Sequence, residues 1–511
     1  MSGKFYITTP IYYPSDRLHI GHAYTTVAAD VLARYHRLKG EDTFFLTGTD
    51  EHGQKIQRKA RERKKSPQEF VDEIVAGIKS LWKLLNISYD DFIRTTEERH
   101  KKVVQKIFRR LWEQGDIYKS QYEGWYCADC EAFYTDTQVR EKGGVCPDHD
   151  RPFERLREES YFFRLARYQE RLLRHIEEHP EFIQPPSRRN EMVNFIRQGL
   201  EDLCVSRTTF DWGVKVPFDP GHVVYVWIDA LSNYISAPGY LSGDAELEER
   251  FRRYWPADLH LVGKEIVRFH TVIWPCLLMA LDLPLPRCVF GHGWLVLESG
   301  KMSKARGNVV DPVELSRTYG VDAIRYFLVR EIPFGADGFY SEEALLTRYN
   351  ADLANDFGNL VWRSISMAEQ FLGGVVRKPS ADDGILRETA SRVTAAYAEA
   401  MEGLRLDEAA ASPLELVRRT NKYLDEMAPW ALARDPGSRE RLEAVLYSSL
   451  EAARVASFLL LPVMPRTAAL VWEQLGVGDL LPRARWPESA AWGMLPDGVR
   501  VRKAEPLFPR I

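Results

Sequence analysis

The chain has little that would tie it to an oxidising compartment or to a membrane. Only 6 of its 511 residues are cysteine, too few for a disulfide framework in a chain of this length. No run approaches the roughly 20 apolar residues that span a bilayer. The best candidate, Ser457 to Leu461, stops at Pro462. The amino terminus, MSGKFYITTP, lacks the basic–apolar–small pattern of a signal peptide. Neither sign of charge dominates: the net charge is −4, so a surface for nucleic acid must be local. These absences lead to the expectation of a cytoplasmic protein with no membrane partner. With 45% hydrophobic and 28% charged residues, what is present reads as globular. The length suits roughly two to four domains.

Residues 4–13, opening with Lys4 to Thr9, read as a buried strand that ends in a proline-rich turn, Pro10 to Pro14. A helical pattern follows from Leu18, with Ile20, Tyr24, Val27, Ala28, Val31, Leu32 and Tyr35 on one face and Gly40 as its stop. Thr43 to Leu46 is the next strand, delivering Asp50, Glu51 and His52 to a loop. The same grammar returns late, as strand Leu259–Gly263, helix Glu265–Ala280 and strand Cys288–Phe290. Strand, helix and strand, with ligand-type residues at strand ends, predict a parallel α/β sheet split into two halves. Between the halves the periodicity breaks up, which predicts an inserted module. After about residue 345 the pattern is helical and rich in Ala, Leu, Arg and Glu, predicting an all-α bundle. The expected division is 1–115, 116–225 (insertion), 226–295, 296–345 (loop and stem region) and 346–511 (bundle).

Three constellations carry chemistry. His19-Ile20-Gly21-His22 places two imidazoles at a helix start, where free N–H groups and the dipole favour a phosphate. Imidazole donors there can stabilise charge that develops on phosphate oxygens. Gly21 leaves room for a nucleotide beside the backbone. Lys301-Met302-Ser303-Lys304 puts two ammonium groups on a glycine-flanked loop ahead of a helix start at Asp311-Pro312, suited to a triphosphate and its departing pyrophosphate. Third, Cys127-Ala128-Asp129-Cys130 and Cys146-Pro147-Asp148-His149 form a CxxC…CxxH set with the spacing of a closed, structural tetrahedral zinc site.

The histidine motif on the first helix and the lysine motif after the second half-sheet resemble the two signatures of class I aminoacyl-tRNA synthetases. The family has serine at the fifth position of the second motif, and this chain has Ala305. The resemblance covers essentially the whole chain and implies a Rossmann-like split sheet, ATP with Mg²⁺ as substrate, and adenylate chemistry. On it, His19, Gly21, His22, Lys301 and Lys304 bind ATP, and the histidines and lysines are catalytic.

Three segments further resemble the amino-acid pocket of the methionyl-tRNA synthetases: Pro10 to Tyr13, Trp227 to Tyr234, and Gly291 to Trp294. The resemblance implies that Ile11, Tyr13, Trp227, Leu231, Tyr234 and His292 line the side-chain site, with Asp50 on the ammonium. Aromatic walls suit a polarizable thioether. The insertion is too small for the editing domain of the isoleucine, valine and leucine enzymes. Asn421 to Trp430 resembles the family's anticodon-reading segment, with Asn359 and Arg363 as base readers and Pro429-Trp430 as a stacking platform. The implied activity joins L-methionine to tRNA(Met), with another class I synthetase, of the leucine or cysteine type, as the alternative. The chain ends at Ile511 soon after the bundle, which leads to the expectation of a monomer.

Overall fold

Phe5, Tyr6 and Ile7 are all buried, so β1 (Lys4–Tyr12) has no polar face. That pattern belongs to a strand covered on both sides, and β1 lies inside a six-stranded sheet. Its companions are β2 (Asp42–Thr49), β3 (Asp91–Arg94), β4 (Ile183–Gln184), β5 (Leu259–Gly263) and β6 (Val289–His292). The order is β3-β2-β1-β5-β6-β4, and every pair is parallel. From β1 the chain builds outward to β2 and β3 on one side, and later to β5 and β6 on the other. The order therefore reverses between β1 and β5, and the crevice beyond their carboxyl ends is where such sheets bind ligands. This computed structural model describes residues 3–127, 132–134, 136–146, 150–297, 300–301 and 309–511.

Rather than turning at Pro10, β1 runs through it to Tyr12. Proline has no N–H to give to the ladder, and the register with β2 shifts between Thr8 and Ile11 to absorb it. The first helix, α1 (Ile20–Leu38), buries all seven residues of its predicted face. The predicted helix Glu265–Ala280 is broken. A 3₁₀ turn (Lys264–Ile266) leads to a π-helical turn (Phe269–Ile273), and regular helix covers only Trp274–Ala280. Pro275 explains the break, because its ring crowds the carbonyl four residues earlier and a widened turn relieves that contact.

The inserted region holds a four-stranded sheet in which Ile117–Cys127 and Glu154–Phe163 form a long antiparallel pair. The insertion is not one continuous module. Midway, β4 returns to the main sheet and pairs with β6, Ile183 opposite Val289. Helix α2 (Glu98–Glu113) precedes it, and the short helices α3 (Val226–Leu231) and α4 (Asn233–Ser236) follow. The carboxy-terminal third packs α5 (Asn359–Leu372), α6 (Ile385–Glu402), α7 (Leu406–Met427) and α8 (Arg439–Leu460) as a bundle. Fully buried Arg325 ties this bundle to α1. It bonds Asp30 Oδ2 at 2.7 Å and the carbonyls of Leu85, Pro462 and Val463 at 2.8–3.0 Å. Among the described residues, no helix is long and apolar enough to cross a membrane.

Candidate active site

At the switch point, the ends of β1, β5 and β6 and the start of α1 enclose a pocket of about 310 Å³. Ile11, Tyr13, His19, Gly21, His22 and His292 line it, all of them predicted from sequence. Thr25 and Glu265 line it too and were not predicted.

The histidine pair is built into the helix start. His19 is the N-cap of α1, and its Nδ1 accepts the N–H of Gly21 at 3.1 Å. His22 Nδ1 in turn accepts the N–H of His19 at 3.1 Å. A ring nitrogen that accepts carries no proton, so each neutral imidazole holds its proton on Nε2. Two Nε2–H groups and a helix amino terminus thus share one wall of the pocket. Gly21 also meets a constraint within the helix start, because a Cβ there would lie 3.0 Å from Cε1 of His19.

The lysine motif is reached from the same place. Lys301 pairs in backbone register with Val296, just beyond β6. Beyond the lysine motif in sequence, the carbonyl of Val310 accepts the N–H of Ile20 at 3.1 Å, tying that stretch of backbone to the histidine motif. Asp311 caps the next helix through Val313 N–H at 2.8 Å, as its sequence predicts. Lys304 and the side chain of Lys301 lie outside the described residues.

Asp50 follows β2, buried, with its N–H donated to the carbonyl of Tyr12 at 3.0 Å. Burial raises the phenol of Tyr234, and the nearby Tyr12 and Asp50 raise it further. Leu231 and Tyr234 belong to a core cluster against which Trp227 and Ile11 pack; of these four, Ile11 lines the pocket and the other three do not. Trp227 lies flat on Phe269, with ring centroids 3.5 Å apart and planes 12° apart. The Tyr234 hydroxyl donates to His270 Nε2 at 2.7 Å, and His270 Nδ1 donates to the carbonyl of Ile266 at 2.9 Å. Burial pulls His270 down to about 4, so the ring is neutral. Phe269 and His270 open the π-helical turn. Sequence reasoning passed over them, although Pro275 inside a helical pattern was the available signal.

His292 is differently committed. Its Nδ1 donates to the carbonyl of Gly293 and its Nε2 accepts from the Thr25 hydroxyl, both at 2.7 Å. A sulfur contact from this ring would require one of those bonds to break. At the rim, Trp294 donates its indole N–H to Glu265 at 2.7 Å, and Lys264 Nζ sits 4.0 Å above its ring.

Of the four predicted zinc ligands, Cys127 and Cys146 are buried together in a small cluster with Val139 and Phe153. Cys130 and His149 lie outside the described residues. In the bundle, α7 ends at Met427, Ala428 takes a left-handed conformation, and Pro429 starts a short turn. This leaves Trp430 42% exposed, too open for a core residue. Asn359 and Arg363 lie one turn apart on α5, and Arg363 bonds Asp425 at 2.7 Å.

Comparison with known proteins agrees with this geometry. The family described as "tRNA synthetases class I (M)" matches residues 5–155 and 149–365. The family described as "Anticodon binding domain of methionyl tRNA ligase" matches residues 376–511. The chain belongs to the methionyl class I tRNA synthetases. A methionine–tRNA ligase of Caldanaerobacter subterraneus subsp. tengcongensis is 60% identical to this synthetase, over 100% of this chain and 79% of the relative. That of Bacillus subtilis is 55% identical over 100% and 78%. The crystal structure of Mycobacterium tuberculosis methionyl-tRNA synthetase bound by methionyl-adenylate superposes with a TM-score of 0.93 at 41% identity, covering 99% of this chain and 100% of that one. The apo form of the same enzyme gives 0.87 at 38% identity, covering 100% and 99%.

Proposed function

We infer that this synthetase is a methionine–tRNA ligase, which activates L-methionine with ATP and passes it to the 3′ end of tRNA(Met). One observation carries the reading: two Nε2–H donors at a helix start share a pocket with Ile11 of β1, which also packs against the cluster holding Leu231 and Tyr234. Asp50 takes the ammonium, and Trp227, Leu231 and Tyr234 take the thioether side chain. The methionine carboxylate attacks the α-phosphate of ATP in line, and pyrophosphate leaves. His19 and His22 donate from Nε2 to the oxygens where negative charge grows. Lys301 and Lys304 take the departing pyrophosphate, and Mg²⁺ arrives with ATP as part of the substrate. For the sulfur side we look to Tyr234, held by His270, because Tyr234 shares a core cluster with Leu231 against which Trp227 packs, whereas His292 is bonded to Thr25 and Gly293. We place the enzyme in the cytoplasm, as a monomer whose pocket and bundle come from one chain. The deciding experiment is amino-acid-dependent ATP–pyrophosphate exchange across the twenty amino acids. Methionine should drive it best; exchange driven best by leucine or cysteine, or none at all, would overturn the assignment.

Zinc belongs to the same proposal. Two cysteines buried in one small cluster fit half of a tetrahedral site that Cys130 and His149 would complete. The ion would hold the segment together, contributing on the order of 10 kcal/mol of folding free energy. Freshly purified protein should contain stoichiometric zinc by elemental analysis, and metal-free protein of full activity would disprove the site.

For the anticodon, Trp430 offers a stacking face, and Asn359 and Arg363 offer hydrogen bonds to base edges. Stacking is worth about 1–3 kcal/mol per base, so Trp430→Ala should lower kcat/KM for tRNA by about 5- to 150-fold. Pyrophosphate exchange should stay at the wild-type rate. Equal losses in the two assays would assign Trp430 to packing instead.

A further inference from the structure

The two residues that follow Asp50 are each fixed by a separate buried polar network. Glu51 is fully buried, and Arg94 takes both of its carboxylate oxygens, at 2.7 and 2.9 Å. The hydroxyls of Thr49 and Thr96 donate to the same carboxylate. His52 turns the other way. Its Nδ1 donates to Asp229 Oδ2 at 2.6 Å, bridging 177 residues of sequence. The second oxygen of Asp229 accepts from His100 Nε2 at 2.9 Å, and His100 Nδ1 meets the Ser236 hydroxyl at 2.7 Å. Asp229, His52, His100 and Ser236 are all buried.

These contacts join the two segments that the proposed function assigns to the ammonium and to the side chain of methionine. His52 stands two residues after Asp50, on the ammonium side. Asp229 belongs to α3 with Trp227 and Leu231, and Ser236 belongs to α4 with Tyr234, on the side-chain wall. His100 comes from α2, outside both. Burial works to raise the Asp229 carboxyl, but His52 and His100 outweigh it and hold it near 2, so it remains a carboxylate at any working pH. For stability alone such a cluster is a poor choice, since well-packed apolar residues of similar volume do as well as buried ionic groups. What a carboxylate with both oxygens engaged supplies is a fixed distance between its partners.

We propose that Asp229, held between His52 and His100, is the positioning residue that sets the separation between Asp50 and the aromatic wall, and hence the fit of methionine from ammonium to thioether. Asp229 does not touch the substrate. The inference rests on the reading of the pocket as a methionine site.

Asp229→Asn tests it in the full-length enzyme by pyrophosphate exchange. An amide nitrogen cannot accept an imidazole N–H, so one side of the clamp opens while the shape is kept. Misplacement by about 1 Å costs up to about 100-fold, so KM for methionine should rise about tenfold or more. KM for ATP should stay at the wild-type value. His100→Leu releases only the α2 side and should raise KM for methionine less; it carries the test alone if Asp229→Asn does not fold. Wild-type KM for methionine in the folded variants would overturn the proposal, as would a rise in both KM values together. A wild-type enzyme that fails to exchange with methionine would instead remove the pocket reading, and this inference with it.

Discussion

His19→Asn should leave the synthetase folded and slow methionine-dependent pyrophosphate exchange about 100- to 1,000-fold, the usual cost of losing one donor to a developing oxyanion. The substitution separates the two tasks of this side chain. As N-cap, His19 accepts the Gly21 N–H through Nδ1. Asparagine is among the best N-cap residues, and its carbonyl oxygen can accept the same bond. What asparagine lacks is the Nε2–H. The melting temperature should therefore hold while kcat falls, with KM for methionine little changed because Asp50 and the aromatic wall are untouched. His19→Ala should show the same catalytic loss plus about 0.5–2 kcal/mol of lost stability, the worth of the cap itself. Exchange by His19→Asn close to the wild-type rate would remove His19 from the transition state and leave it a helix cap.

Reading the sequence succeeded where local chemistry dictates structure. The strand Leu259–Gly263 was legible residue for residue, because an apolar run ended by glycine has few alternatives. The buried face of α1 was legible from its period, and Asp311-Pro312 from capping chemistry. The site was legible where motifs are short and contiguous, as at His19 to His22. It was not legible where function depends on contacts between distant segments. The two-residue strand β4 is a strand only because β6 pairs with it. His270 carries no motif, and its role follows from a π-helical turn that places it against Tyr234. His52 sat in view beside Asp50, but its partner lies 177 residues away. Gly21 was read for the room it leaves a nucleotide, and the fold adds a second reason that no local pattern shows, since a Cβ there would lie 3.0 Å from the ring of the adjacent cap.

The other large effect should come from Asp50→Ala, which removes the carboxylate proposed for the methionine ammonium. Cutting one partner from a buried, hydrogen-bonded charge pair costs about 2–5 kcal/mol, so kcat/KM for methionine should fall about 30- to 5,000-fold. KM for ATP, measured at saturating methionine, should hold, because the ATP-side donors His19 and His22 stand on α1 and not on β2. The backbone argues that this loss would belong to the side chain. Asp50 is tied by its own N–H to Tyr12, and Glu51 and His52 are anchored independently, so the loop should keep its course around alanine. Asp50→Asn then isolates charge from shape. An amide keeps the volume and one acceptor but not the negative charge, so it should recover only a small part of the lost kcat/KM. Recovery to near wild type would mean that Asp50 acts as a hydrogen-bond acceptor rather than as the counter-ion. Parallel losses toward methionine and ATP would mean that the loop had moved, and that the ammonium must be sought against another carboxylate, of which Glu265 on the pocket wall is the nearest in kind.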